Sequence, residues 1–159
     1  MTTLTRADWE QRAKDLKIEG RAYINGEYTA AVSGDTFECI SPVDGRLLTS
    51  VASCDVADAQ RAVENARATF NSGVWSRLAP AKRKATMIRF AALLKANAEE
   101  LALLETLDMG KPISDALNID VPGAANALSW SGEAIDKIYD EVAATDRKST
   151  RLNSSHMPH

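Results

Sequence analysis

The chain has 159 residues, of which 45% are hydrophobic and 26% are charged, and its formal net charge is −3 at pH 7. This composition is typical of a globular protein and excludes a fibrous or wholly disordered chain. No apolar run approaches the roughly 20 residues of a membrane-spanning helix, and residues 1–20 lack the apolar stretch of a signal peptide. The sequence therefore predicts a cytoplasmic protein without a membrane partner.

Histidine and cysteine usage limits the chemistry of the chain. Both histidines, His156 and His159, lie in the last fourteen residues. Residues 1–145 are thus predicted to hold no histidine nucleophile pair, metal ligand or general base. The two cysteines, Cys39 and Cys54, do not make a disulfide framework, so each is predicted to be a free thiol or a small apolar side chain.

The chain begins with a predicted short helix. Thr5 and Asp8 have the spacing of a capping box, and the apolar periodicity that follows predicts a helix over residues 6–17. Gly20 is predicted to end this helix.

Two hairpins are predicted next. Asn25-Gly26 suits a two-residue turn in which both residues take positive φ, so residues 21–24 and 27–30 are predicted to pair. Residues 36–41 and 46–53 are predicted to form the second hairpin, with Phe37 and Cys39 on its buried face.

Helices are predicted to cover both hairpins. Asp55 is predicted to cap a helix that ends at Asn71-Ser-Gly73. Pro80 is predicted to lie in the first turn of the next helix. The first of these helices carries an apolar stripe at steps of three and four residues, made of Val56, Ala59, Val63, Ala66 and Phe70.

The next two predicted helices each have a proposed cap. Asn97, followed by Glu100, has the form of a capping box, and the helix it starts is predicted to stop at Gly110. After a short helical piece over residues 113–117, Asp120 is predicted to cap a long helix that continues through Tyr139. Its small residues are predicted to allow close packing against a neighbour at Gly123 and Gly132.

The last fourteen residues differ in kind from the rest. Residues 1–145 contain sixteen Lys and Arg against twenty-one Asp and Glu, whereas residues 146–159 contain three against one. Residues 146–156 resemble a common sequencing adapter read as coding sequence. Residues 146–159 are therefore predicted to be foreign and disordered, and the natural gene to continue beyond Thr145. The alternative is a natural basic tail that binds nucleic acid or a membrane surface.

Several segments together resemble the aldehyde dehydrogenase superfamily. They are Tyr23–Tyr28, Thr36–Pro42 with Gly45, the helix from Asp55 to Phe70, Trp75, and above all Leu101–Pro112, which ends in Asp-Met-Gly-Lys-Pro. Residues 9–20 and 120–124 look most like the bacterial branch that oxidises γ-glutamyl-aminobutyraldehyde in putrescine breakdown.

The resemblance implies an α/β fold, the N-terminal part of the family's NAD(P)-binding domain. It would contain two β-hairpins followed by several α-helices, with an incomplete parallel sheet. Residues 1–19 would form a helical lead, residues 20–145 the first part of this domain, and residues 146–159 the foreign tail.

The resemblance also implies a function. Family members oxidise an aldehyde to a carboxylic acid with NAD or NADP, and the resemblance to the γ-glutamyl-aminobutyraldehyde branch implies an aminoaldehyde. The parent enzyme is expected to be a homo-oligomer. The family's catalytic cysteine, glutamate and dinucleotide motifs match positions beyond residue 145. No catalytic or cofactor-binding residue is therefore expected in this chain, which is predicted to be inactive alone, and neither Cys39 nor Cys54 matches a family motif cysteine.

One site follows from the resemblance. Some relatives hold a potassium or sodium ion through backbone carbonyls at the positions of Cys39 and Ile40 and a carboxylate at the position of Asp108. Oxygen ligands suit such a hard cation. The chain could supply only part of this site, and the alternative is that Asp108 accepts a hydrogen bond at a helix end.

Two basic features have ordinary alternatives. Lys111 follows a helix end, where a structural role is favoured over phosphate binding because the flanking residues do not form a Walker motif. Residues 82–84, Lys-Arg-Lys, are predicted to be a solvated helix face and not a nucleic-acid patch. The competing functions are a non-catalytic helical interaction module and a nucleic-acid binder.

Overall fold

The computed structural model describes residues 4–137, in which two hairpins precede all helices but the first. Strand β1 pairs with β2 and β3 with β4, both antiparallel. These residues contain no strand of a parallel sheet. The predicted order of two hairpins followed by helices is confirmed. The strands are β1 (Ala22–Ile24), β2 (Glu27–Thr29), β3 (Thr36–Ile40) and β4 (Leu47–Ala52).

Six α-helices accompany the strands, and a π-helical turn at Ala116–Asp120 joins the last two. The packing of α3 against α6 is the most extensive helix contact in this part of the chain. The helices are α1 (Arg6–Asp15), α2 (Val56–Ser72), α3 (Pro80–Ala96), α4 (Ala98–Met109), α5 (Ile113–Asp115) and α6 (Val121–Ala134).

The predicted start of α1 is confirmed, but its predicted end is wrong. The Thr5 hydroxyl accepts a hydrogen bond from the Asp8 amide, and the Thr5 amide donates to the Asp8 carboxylate. The helix ends at Asp15, because Leu16 is already extended. Gly20 lies farther on, beside β4, where its carbonyl accepts a 2.8 Å hydrogen bond from the Ala52 amide. It therefore serves the contact with the hairpin and does not end the helix.

The first hairpin turn has the predicted geometry, with φ of 58° at Asn25 and 82° at Gly26. The second hairpin differs from prediction on one point. Phe37 is 54% exposed, whereas Cys39 is half-buried. Among the described residues, no helix covers the strand at Phe37, while α4 lies beside Cys39.

Helix α2 has the predicted ends. Asp55 accepts hydrogen bonds from the amides of Ala57 and Asp58, and Gly73 closes the helix in the left-handed conformation with φ of 76°. The apolar stripe of α2 is exposed, and Asp58 is the one residue of α2 that is buried.

Helices α4 and α6 begin directly after Asn97 and Asp120, as predicted, but neither side chain makes a capping hydrogen bond. A capping residue has extended backbone, whereas Asn97 (φ −109°, ψ 23°) and Asp120 (φ −74°, ψ −52°) continue from one helical segment into the next. The side-chain amide of Asn97 instead donates a hydrogen bond to the Leu93 carbonyl at 2.8 Å. The Asp120 carboxylate is turned to Lys111.

Small residues form the core where helices cross. Ala102, Ala116 and Ala125 are fully buried. A Cβ on Gly132 would lie 3.1 Å from the Met87 Cβ on α3, which confirms the predicted close approach there. The same prediction for Gly123 is wrong, because no described atom beyond its chain neighbours and its own helix backbone comes within 4 Å of a Cβ at that position. The predicted continuation of α6 to Tyr139 lies outside the described residues.

Candidate functional site

The second hairpin and α4 enclose an open groove of about 340 Å³. Cys39 reaches it from β3 and Asp108 from the last turn of α4. Apolar side chains supply most of the remaining wall, including Ile18, Val51, Leu104 and Met109. The groove thus brings together two of the three residues predicted to contribute to a cation site.

Cys39 and Asp108 interact directly in this groove. The Cys39 thiol donates a hydrogen bond to Asp108 Oδ1 at 3.3 Å. This hydrogen bond, followed by partial desolvation and the carboxylate charge, raises the pKa of the Cys39 thiol. A nucleophilic cysteine requires a lowered pKa, because the thiolate is the reactive form. The contact therefore opposes nucleophilic chemistry at Cys39.

The other cysteine is equally unsupported as a nucleophile. Cys54 is a free, exposed thiol one residue before the cap of α2. Residues 4–137 include no histidine that could serve as its base.

The predicted cation site is only partly assembled in the described chain. The Asp108 carboxylate is present in the groove, and the β3–β4 pairing is irregular between Cys39 and Ile40. Within residues 4–137, no three side chains among His, Cys, Asp and Glu are grouped to hold a metal ion. The site of Cys39, Ile40 and Asp108 consequently stays a prediction, one that depends on backbone carbonyls and on further ligands.

Lys111 is held by carboxylates on both sides. Its Nζ contacts Asp120 and lies 3.8 Å from Glu105 Oε1. The hydrogen bond to Asp120 is the largest cause of the raised pKa of Lys111. Because its charge is paired within the chain, the structure favours the structural role over phosphate binding. The sequence analysis missed this pair, having read Asp120 as a cap.

The basic run on α3 is only partly solvated. Lys82 is exposed, but Lys84 lies 2.7 Å from Glu133 and 3.1 Å from Asp136. These hydrogen bonds, first that to Glu133, raise the pKa of Lys84. The prediction of a purely solvated face is therefore wrong for Lys84, which connects α3 to the carboxyl end of α6.

Asp58 is a second feature that the sequence analysis missed. Its carboxylate is buried and accepts hydrogen bonds from the amides of Val32 and Asp55. The signal was present, because an acidic residue three positions after the capping Asp55 completes a capping box. The spacing of residues in the sequence did not predict the hydrogen bond between Asp58 and the Val32 amide, which lie 26 residues apart.

The described residues do not fit a dinucleotide. Such cofactors bind beyond the carboxyl ends of parallel strands, at a glycine-rich turn into a helix. Both sheets here are antiparallel, and the lysine of the one Gly-Lys pair, Lys111, is paired with Asp120.

None of the helices between residues 4 and 137 is long and apolar enough to cross a bilayer.

Two hairpins followed by a helical layer, with the Gly110 helix end beside the second hairpin, make the described chain a mixed α/β segment. The model of the aldehyde dehydrogenase family matches residues 28–159. The chain therefore belongs to the aldehyde dehydrogenase family, as the sequence resemblance predicted.

Curated and solved relatives agree with this assignment. The NADP/NAD-dependent aldehyde dehydrogenase PuuC of Escherichia coli is 52% identical over 139 residues, which are 87% of this chain and 28% of the relative. The indole-3-acetaldehyde dehydrogenase of P. syringae, solved with NAD+ and IAA, is 81% identical with a TM-score of 0.87, over 91% of this chain and 29% of that one. The chain thus spans less than a third of these relatives.

The predicted bacterial branch is among the relatives. The γ-glutamyl-γ-aminobutyraldehyde dehydrogenase of Burkholderia cenocepacia is 53% identical with a TM-score of 0.86, over 90% of this chain and 29% of that structure. The P. syringae enzyme has the higher identity and is named for a different aldehyde.

Proposed function

We propose that this chain is part of an NAD(P)-dependent aldehyde dehydrogenase that oxidises an aldehyde to a carboxylic acid. The observation that supports this most is the 81% identity, at a TM-score of 0.87, to an enzyme solved with NAD+. At that identity, the same backbone and most of the same side chains serve a dehydrogenase. In the parent enzyme, nucleotide chemistry and the attacking thiolate would come from other parts of the polypeptide.

The contribution of this chain to that enzyme is structural. The Cys39 thiol is hydrogen-bonded to a carboxylate, and Lys84 and Lys111 are paired with acidic residues. These groups position the hairpin and the helices relative to one another. We infer that the 159-residue chain alone has no dehydrogenase activity.

The substrate class is a further proposal. PuuC and the Burkholderia enzyme, at 52% and 53% identity, support an aminoaldehyde, and the 43%-identical aminoacetaldehyde dehydrogenase of Pseudomonas aeruginosa agrees. The P. syringae enzyme favours indole-3-acetaldehyde as the second candidate. A cytoplasmic homo-oligomer is the assembly that we propose for the parent.

A chimera tests the proposed activity. Residues 4–137 replace the matching segment of the P. syringae enzyme, and NADH or NADPH formation is followed with γ-aminobutyraldehyde and with indole-3-acetaldehyde. We expect the activity of the chimera to lie within about tenfold of the activity of the unmodified P. syringae enzyme, since the exchanged segment supplies no reacting group. The isolated 159-residue chain, assayed in parallel, is expected to form no NADH. A folded but inactive chimera, or an active isolated chain, would contradict the proposal.

We also propose that Cys39, Ile40 and Asp108 contribute to a potassium or sodium site in the parent. The support is the Asp108 carboxylate at the groove beside the irregular end of β3. A crystal of the chimera grown in rubidium chloride is expected to show an anomalous peak between the Ile40 carbonyl and the Asp108 carboxylate. An Asp108→Asn chimera is the control and is expected to lose the peak. Absence of the peak with Asp108 intact would end the proposal.

The division of the chain at residues 19 and 145 remains a proposal as well. The suggested foreign segment, residues 146–159, lies outside the described residues, and the family match includes it. A copy of the gene sequenced without adapters tests the boundary at residue 145, because a different codon series after Thr145 is expected.

A further inference from the structure

We propose that the apolar stripe of α2 is a docking surface for the remainder of an aldehyde dehydrogenase polypeptide, an inference that rests on the proposed function. The α2 stripe consists of Val56, Ala59, Val63, Ala66 and Phe70. These residues recur at steps of three and four, so they share one face of the 17-residue helix.

The stripe is uncovered in the described chain. Val56 is 82% exposed, Val63 67% and Phe70 60%, and both alanines are also exposed. A patterned apolar face of this length is typical of a helix that packs against another layer. Scattered exposed apolar residues are normal on a protein surface, but an aligned row marks an interface.

Helix α2 has few other contacts to hold it. The Asp58 carboxylate accepts from the Val32 amide at 3.0 Å, and the Asn65 amide donates to Asn25 Oδ1 at 2.7 Å. Both contacts lie off the stripe. In proteins most of the stability of a helix comes from packing of its apolar face against another element. A covering layer on the stripe would supply the burial that α2 lacks.

The remainder of the same enzyme is the occupant that the comparisons support. This chain matches the P. syringae structure with a TM-score of 0.87, and the matched segment covers 29% of that polypeptide. In that setting most of the polypeptide is available to cover α2. The stripe residues themselves are uncharged, and one cation flanks them, because the Arg67 guanidinium lies 5.9 Å from the centroid of the Phe70 ring. A mainly apolar partner surface suits this face better than nucleic acid does. A second copy of the chain is the competing occupant.

The test pairs two identical substitutions on opposite faces of α2. Ala66 lies on the stripe and Ala68 lies on the opposite face, and both are exposed. The tagged 159-residue chain, as wild type, Ala66→Asp or Ala68→Asp, is co-expressed with the P. syringae enzyme from which the matching segment is deleted. Captured partner is quantified after affinity purification.

We expect the wild type and Ala68→Asp to capture similar amounts, and Ala66→Asp to capture at least about tenfold less, because a carboxylate would be buried against an apolar surface. No capture by the wild type, or equal capture by both variants, would overturn the proposal. A sedimentation experiment on the chain alone addresses the second copy: a dimer that Ala66→Asp disrupts would also overturn it. A captured complex without NADH formation would leave docking intact and contradict the proposed function instead.

Discussion

Gly20→Ala is expected to lower the free energy of unfolding of the 159-residue chain by about 3 kcal/mol, the upper part of the range for overpacking. A Cβ at Gly20 would clash with the Ser50 carbonyl oxygen of β4 and would lie 3.3 Å from Thr49 Oγ1. The Ser50 oxygen belongs to the backbone of a paired strand, so it cannot move without disturbing β3–β4. The Gly20 to Ala52 hydrogen bond would be lost together with the close approach.

Gly123→Ala is the matched control, because it adds the same methyl group to a helical glycine with no described atom within 4 Å. It is expected to raise the free energy of unfolding by about 0.5 kcal/mol through helix propensity. Urea titration followed by circular dichroism measures both variants. Equal changes in the two would show that the contact with β4 does not matter.

Asp58→Ala is expected to destabilise the chain by about 3 kcal/mol, since it removes a buried, charged acceptor of backbone amides. Asp58 is 2% exposed and receives the Val32 amide at both oxygens and the Asp55 amide at 3.2 Å. Without the carboxylate these amide donors would lack their acceptor, and the loop at Val32 would lose its hydrogen bond to α2.

Two variants on the same helix separate this effect from a general loss of charge. Asp58→Asn keeps one carbonyl oxygen for the Val32 amide and is expected to cost about half as much as Asp58→Ala. Glu64→Ala, at an exposed position that accepts a hydrogen bond from Gln60, is expected to change stability by less than about 0.5 kcal/mol. Thermal unfolding of the three variants should rank in this order, and an effect of Glu64→Ala as large as that of Asp58→Ala would refute the assignment.

Local signals predicted the elements well. The Thr5 capping box, the Asn25-Gly26 turn and the left-handed ends at Gly73 and Gly110 are set by backbone sterics within a few residues, and all are confirmed. Such features depend on their immediate neighbours alone.

The failures arose where distant parts of the chain decide the outcome. Asp120 was predicted as a cap because its sequence neighbourhood permits one, but Lys111 competes for its carboxylate. Phe37 was predicted to be buried, but periodicity shows which face of a strand is apolar and not whether another layer covers it. For the candidate site, the contact of Cys39 with Asp108 joins residues 69 apart in sequence, a distance that no local pattern spans.

The helix end at Asp108–Pro112 is a junction between three parts of the described chain. Asp108 contacts Cys39 of β3, Gly110 lies against Pro42 of the hairpin turn, and Lys111 contacts Asp120 at the entry to α6. Three residues of one short segment thus each contact a different neighbour. A substitution at any one of them would remove a contact between elements that are far apart in sequence. The segment therefore fixes the second hairpin and the start of α6 against the same end of α4.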